Sequence, residues 1–181
     1  MILGLDISTS ITGATLLDKD GNTLLCQAWD TRNKNHFKNI YQKADHVSTE
    51  LGILDHEFRH QIKSIFIEQS LQSFRSGFSS AQTLSTLSRF NGIISWICYE
   101  RFKIDPEMIA ASTARKLCGI KIQRGEKAKQ KVLDFVLDNV EGFEVEYTKA
   151  GNPKPGSYDR ADSWVVATAG LEVWKQKNST S

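Results

Sequence analysis

Four acidic residues, Asp6, Glu68, Asp159 and Asp162, have types and positions from which a catalytic site could be built. Asp6 lies inside an otherwise apolar segment, and Glu68 ends a short β-rich run. Asp159 and Asp162 are three residues apart in a segment with helical periodicity, so they project from the same helix face. Each acid alone could be a turn residue, a solvent-facing residue or a helix-terminal residue. Together they favour one cluster, because a carboxylate in a buried strand is costly unless it is paired or binds a metal.

Such a cluster suits hard divalent cations. Mg²⁺ prefers oxygen ligands and keeps several waters, so Asp and Glu without His or Cys are a suitable ligand set, and Mn²⁺ is the expected substitute. Two ions about 4 Å apart can activate a water and stabilise the leaving oxygen of a phosphodiester. The sequence offers no convincing protein nucleophile, and this mechanism needs none. His56 and His60 have i, i+4 spacing, but we interpret them as part of a polar helix face because no third ligand is evident.

A strongly basic stretch precedes the last two acids. Between positions 115 and 131 there are seven basic residues and one acid. Such a run is often only a solvated face, and its alternative role is to bind a polyanion such as nucleic acid. A Ser- and Gly-rich loop around Gly77 adds side chains that could stack on bases or complete a small satellite core. The candidates for contacting nucleic acid are Arg115, Lys116, Lys121, Arg124, Lys127, Lys129, Phe74, Arg75 and Phe78.

The predicted elements would bring these residues to one end of a sheet. Three strands form a meander, and the strand–helix alternation that follows requires parallel crossovers. We therefore predict an α/β fold, with a mixed five-stranded sheet and helices on both faces, as a single domain over 1–177 with a polar tail at 178–181. Functional groups in such sheets gather at strand ends and adjacent helix starts. The strands are predicted at 2–7, 12–17, 23–29, 64–68 and 107–110, and the helices at 36–60, 79–102, 113–118 after a Ser112 cap, 126–139 and 158–176.

Composition excludes several other classes of protein. The 181 residues are 40% hydrophobic and 24% charged, which is ordinary for a globular chain. No apolar run approaches the roughly 20 residues of a membrane-spanning helix, and the N-terminal segment is unlike a signal peptide. Cys26, Cys98 and Cys118 are odd in number and widely spaced, which excludes a disulfide scaffold and indicates a reducing compartment. We expect a cytoplasmic protein without a membrane partner.

The motifs as a set resemble the RuvC family of Holliday-junction resolvases, within the RNase H-like nuclease superfamily. The resemblance covers nearly the whole chain, and its most specific parts are the Ile-Glu-Gln segment ending at Gln69 and the terminal DxxD. A member of the phage type would suit the length and the divergence. The motifs are Gly4-Leu5-Asp6, Thr12-Gly13, Phe66-Ile67-Glu68-Gln69, Arg124-Gly125-Glu126-Lys127-Ala128 and Asp159-Arg160-Ala161-Asp162-Ser163.

The resemblance implies roles for particular residues. Asp6, Glu68, Asp159 and Asp162 would be the catalytic metal-binding acids, and Lys127 would act near the scissile phosphate. Helix 79–102 would form a homodimer. Its apolar residues exceed one face, with Leu84, Leu87, Ile94 and Ile97 predicted on one side and Phe90, Ile93 and Trp96 around the rest.

The sequence departs from the family pattern after the catalytic Glu. The family places a base-contacting aromatic three residues beyond that acid, where this chain has Leu71. Phe74 or Phe78 would have to supply that contact. The family's cleavage-sequence preference therefore does not carry over.

The sequence suggests three alternative functions. The fold could serve a non-catalytic branched-DNA-binding protein, although all four acids are present. The start of the chain also resembles the phosphate loop of sugar kinases and actin-like ATPases, but 181 residues cannot supply their two domains, so no nucleotide cofactor is expected. A nuclease for RNA or RNA–DNA hybrids is the closest rival. The favoured hypothesis is a Mg²⁺-dependent homodimeric endonuclease, with two ions per site, that resolves four-way DNA junctions by paired nicks.

Overall fold

The sheet begins with an antiparallel meander. The computed structural model describes residues 1–58, 61–69 and 81–179. The turn between the second and third strands is closed by the Asp18 carboxylate, which accepts hydrogen bonds from the backbone N–H groups of Asp20 and Asn22, each at 2.8 Å. Gly21 supplies the positive φ of 97° that this turn requires. The strands are β1 (Ile2–Asp6), β2 (Ile11–Leu17) and β3 (Thr23–Asp30).

Two parallel strands extend the sheet on the other side of β1. They are reached through two long helices, and the strand order is β3-β2-β1-β4-β5. Both β1–β4 and β4–β5 pair in parallel. The predicted mixed five-stranded sheet is therefore confirmed. The elements are α1 (Ile40–Phe58), β4 (Ser64–Glu68), α2 (Ala81–Phe102) and β5 (Glu107–Ile109).

Helices cover both faces of the sheet, and each face has its own core. Strand alternation sends Leu3 and Leu5 into the core beneath α1 and α2, and sends Ile2 and Phe66 into the core on the opposite face. That second core is completed by α3 (Ala111–Leu117), α4 (Ala128–Asn139) and α5 (Ser157–Asn178). None of the helices in the described ranges combines the length and the hydropathy needed to cross a bilayer.

Helix α5 lies unusually close to the sheet, because glycine occupies the contact points. A Cβ added at Gly4 would lie 2.4 Å from the backbone nitrogen of Ala167, and one added at Gly13 would lie 1.9 Å from the carbonyl oxygen of Asp159. A buried hydrogen bond of 2.8 Å between the hydroxyls of Thr15 and Ser163 ties the helix to β2. These contacts fix the N-terminal turns of α5 over the strand ends.

Several predicted helix starts are wrong, for local reasons. Helix α1 begins at Ile40 instead of 36, since the Asn39 side chain accepts hydrogen bonds from the N–H groups of Tyr41 and Gln42 and so caps the helix there. Ser112 is not a cap, because α3 already begins at Ala111 after Ala110, with no side-chain cap.

Helix α4 begins at Ala128 instead of 126. The Glu126 side chain instead closes a turn by accepting a hydrogen bond of 2.7 Å from the N–H of Gln123. Gly125, with φ of 92°, lies within that turn.

The faces of α2 also differ from the expectation. Phe90, Ile94 and Cys98 are fully buried against the sheet. Phe90 was predicted outside the stripe that includes Ile94, but its position four residues before Ile94 places it on the same buried stripe. The outward aromatic residues are Trp96, 62% exposed, and Tyr99, 45% exposed.

Candidate active site

The register of β1 and β4 brings the first two acids together. Leu5 is paired with Ile67, and Asp6 and Glu68 follow directly in each parallel strand. Side-by-side residues in parallel strands project to the same face, which here is the face covered by α5. Asp6 is also paired with Gly13 on β2. The carboxyl ends of two central strands therefore present two carboxylates beneath the start of α5.

The other two acids come from the first turns of α5. The helix begins at Ser157 after Gly156, whose φ of 94° turns the chain into it. Asp159 and Asp162 then face the strand ends, and Asp6 interacts electrostatically with both of them and with Glu68. The structure thus brings together all four acids that the sequence predicted.

Crowding of these carboxylates alters their protonation. Burial, followed by repulsion from Glu68 and Asp162, raises the pKa of Asp6 well above its usual value. Burial and repulsion from Asp162 raise the pKa of Glu68 to about 7. Burial is also the largest cause of the raised pKa values of Asp159 and Asp162. Burial and mutual repulsion therefore disfavour the ionised forms of these acids, and a cation among them would stabilise those forms.

A lysine that sequence reasoning placed only among the DNA contacts belongs to this cluster. Lys129, in the first turn of α4, has its Nζ 3.5 Å from Oδ2 of Asp162. Its ammonium also interacts with Asp6 and Asp159. Lys127, the predicted catalytic lysine, lies at the N-cap of α4, and within the described residues no ion pair joins it to an acid. The start of α4 at Ala128 sets which lysine turns inward, and this boundary was not readable from the sequence.

The donor chemistry of the cluster fits a hard divalent cation, since its candidate ligands are all carboxylate oxygens. As the side chains stand, however, no three His, Cys, Asp or Glu residues in the described ranges converge closely enough to hold a metal ion. Lys129 is the cation that lies against Asp162 in this arrangement. The residues therefore fit a hard divalent cation in the type of ligand atom that they offer.

The predicted basic residues are divided between several surfaces. Arg115 on α3 interacts electrostatically with Glu68 and Asp162, so it borders the acids. Arg115, Lys116 and Lys121 line a cavity of about 320 Å³ beside α3. Arg124 is exposed in the turn before α4. Leu71, Phe74, Arg75, Phe78 and His60 lie outside the described residues.

Comparison with known proteins reveals the same fold in junction resolvases. RuvC of Thermus thermophilus in complex with a Holliday junction substrate superposes with a TM-score of 0.64 at 10% identity, over 99% of this chain and 96% of that one. Another structure of Thermus thermophilus RuvC gives 0.60 at 14% identity with the same coverage. The yeast mitochondrial Holliday junction resolvase Ydc2 gives 0.58 at 16% identity, over 98% of this chain and 80% of that one. No protein-family model and no curated protein sequence matches the chain. The RuvC-like, RNase H-like fold that the motifs predicted is confirmed.

The raised pKa values predict how the metal-free protein responds to pH. A carboxyl group whose pKa is higher in the folded state than in the unfolded chain costs stability as the pH rises toward and through the folded value. Glu68→Gln removes that cost, so we expect it to raise the free energy of unfolding in EDTA by about 1–3 kcal/mol at pH 8, and by less at pH 5. Urea denaturation at both pH values measures this, with Glu57→Gln on the exposed side of α1 as the control. A Glu68→Gln protein no more stable than wild type at pH 8 would contradict the electrostatic description of the site.

Proposed function

We propose that the chain is a divalent-metal-dependent endonuclease that resolves four-way DNA junctions. The observation that carries this proposal is the group of four carboxylates beneath α5, in a chain whose fold matches that of RuvC over nearly its full length. Acids gathered at the ends of parallel strands cost stability, as their raised pKa values indicate. Acids that lie close together at a cost in stability are expected to serve binding or catalysis.

The residues that would hold the metal are Asp6, Glu68, Asp159 and Asp162. Bound Mg²⁺ ions would supply a water of lowered pKa and would stabilise the charge that develops on the leaving oxygen. Asp6 is the central ligand in this proposal, because it interacts with the three other acids. In this proposal the carboxylates would hold the ions, and hydrolysis of one phosphodiester would leave a nick that a ligase can seal.

Lys129 is proposed to act directly at the scissile phosphate. Its ammonium lies against Asp162, and its side chain is 65% exposed, so it can reach a substrate above the acids. A lysine there can stabilise the charge that develops on the phosphate during cleavage. Lys127, two residues earlier at the helix N-cap, is proposed to contribute mainly to DNA binding.

The basic residues of α3, α4 and the turn between them are proposed to bind the DNA backbone. Contacts to phosphates give affinity without sequence information, which suits recognition of a branched shape. The contact residues in this proposal are Arg115, Lys116, Lys121, Arg124, Lys127 and Lys129. Phe74, Arg75 and Phe78 remain candidates for contacts to bases.

A homodimer through α2 is the proposed assembly. Trp96 and Tyr99 lie three residues apart on the outward side of α2, and both are substantially exposed. A two-fold contact between two such helices would bury these rings, at roughly 25 cal/mol for each Å² removed from water. It would also present two active sites to a substrate that is nearly two-fold symmetric.

The nuclease proposal predicts that loss of one acid abolishes cleavage but not binding. Asp162→Asn keeps the shape of the side chain and removes a metal-binding charge, so cleavage in Mg²⁺ should fall by at least about 100-fold. Junction binding in EDTA should persist. The assay compares a labelled four-way junction with a fork, a duplex and an RNA–DNA hybrid, and Asp138→Asn on the exposed face of α4 is the control. Undiminished cleavage by Asp162→Asn would refute the site, and a wild type that cuts only the hybrid would assign the fold to the rival function.

Two single substitutions, at Lys129 and at Lys127, distinguish the roles of these lysines. Lys129→Met should lower the cleavage rate at saturating DNA by about 10²–10³-fold, as expected for loss of a transition-state donor. It should also tighten Mn²⁺ binding measured by calorimetry, because a competing cation beside Asp162 is removed. Lys127→Met should weaken junction binding and change the saturated rate little. The reverse pattern would assign the phosphate contact to Lys127.

The assembly proposal is tested by placing a charge on the outward face of α2. Trp96→Glu should give a folded monomer that nicks single strands without paired incision. Light scattering measures the mass, and a cruciform plasmid separates nicked from linear product. Tyr147→Glu, another exposed aromatic residue outside α2, is the control. A wild-type protein that is monomeric both free and on DNA would exclude the dimer.

A further inference from the structure

A second basic surface lies on the segment that joins β3 to α1. Between positions 31 and 43 the sequence has four basic residues, Arg32, Lys34, Lys38 and Lys43, and no acid. The first three are exposed and Lys43 is half-buried. This β3–α1 strip is separate in sequence from the basic stretch on α3 and α4.

Several contacts fix the strip beside the active site. Thr31, only 2% exposed, donates hydrogen bonds from its backbone nitrogen and its hydroxyl to the carbonyl oxygen of Ser10, at 2.8 and 3.1 Å. The Nζ of Lys43 donates to the carbonyl oxygen of Thr9. Residues 7–10 connect Asp6, at the end of β1, to the start of β2, so both ends of the strip are anchored close to the first of the proposed catalytic acids.

Sheet topology places the strip on the far side of the acids from α3. Strand β3 is antiparallel to β2, which is antiparallel to β1, so β3 ends at the same end of the sheet as β1, β4 and β5. The segment after β3 and the segment after β5 therefore emerge at opposite edges of that end. Four strand spacings of about 4.8 Å separate these edges by roughly 19 Å, with Asp6 and Glu68 on strands between them.

The electrostatic partners of the acids agree with this order. Asp159 interacts with Arg32 of the strip, whereas Glu68 and Asp162 interact with Arg115 of α3. Arg32 is itself held by Asp30, with 2.5 Å between Nη2 and Oδ2. Lys34 and Lys38 are therefore the exposed charges of the strip that can be tested without breaking that pair.

We propose that the β3–α1 strip binds the DNA backbone on the opposite side of the cleavage point from the arm held by α3 and α4. This inference rests on the proposed function, since it assigns a further contact to the same substrate. Duplex DNA advances about 3.4 Å per base pair, so 19 Å corresponds to about five or six base pairs between the two contacts. Lysines contacting phosphates there would extend the grip along the duplex without reading sequence.

The test compares two double variants that remove the same charge. Lys34→Gln with Lys38→Gln should flatten the slope of log K against log salt for junction binding by up to about two units. Lys19→Gln with Lys63→Gln removes two exposed lysines at the opposite end of the strands and should leave the slope unchanged. Fluorescence anisotropy in EDTA measures both without cleavage.

Ethylation interference then locates the contact on the DNA. Some phosphates should block binding of the wild type when ethylated but should not block binding of the Lys34/Lys38 variant. The same comparison with Lys116→Gln identifies the phosphates near α3. The two sets should lie on opposite sides of the cleavage point. Equal salt slopes for the two double variants would overturn the inference, as would contacts on the same side as those of Lys116. Wild-type protein that fails to bind the junction at all would overturn the proposed function instead.

Discussion

The close approach of α5 to the sheet is the constraint on which the site depends. The Asp159 carbonyl occupies space that a side chain at position 13 would need, and Ala167 does the same at position 4. Because Gly13 is paired with Asp6, the place where the helix comes nearest to the sheet is also the place where the acids meet. The Thr15–Ser163 hydrogen bond holds that approach from within the core. Two absent side chains thus set the distance between the strand acids and the helix acids.

The same approach creates an electrostatic cost that the fold does not remove. Burial desolvates Asp6 and Glu68, and Asp162 repels them, while Lys129 is the cation that lies against Asp162. A lysine buried among the acids would relieve the repulsion, but it would also occupy the space that the proposed metal ion and phosphate would need. The incomplete neutralisation is therefore the feature on which the proposed phosphodiester chemistry would depend.

The sequence predicted elements and site residues correctly where residue type and hydrophobic periodicity agreed. The strand Ser64–Glu68 was predicted with the observed bounds, and the four acids were grouped from an apolar strand, a strand end and an i, i+3 helix pair. Prediction from the sequence failed where a local hydrogen bond sets the boundary of an element. The Asn39 side chain caps α1, so this helix begins four residues later than predicted. Lys129 was missed for a related reason, because a two-residue change in the start of α4 changes which lysine faces the acids.

The direction of the strands explains why charge is distributed around the site as it is. Four strands run the same way, so their carboxyl ends, together with the segments that follow β3 and β5, all reach one end of the sheet. Of the five strands in the described residues, only β2 begins there. Near its start β2 has Gly13, which is paired with Asp6 of β1 and leaves space because it has no side chain. The central strands β1 and β4 consequently carry acids, and the edge strands β3 and β5 lead into basic segments. Strand β2 runs the opposite way and leaves the space in which α5 brings Asp159 and Asp162 close to Asp6 and Glu68.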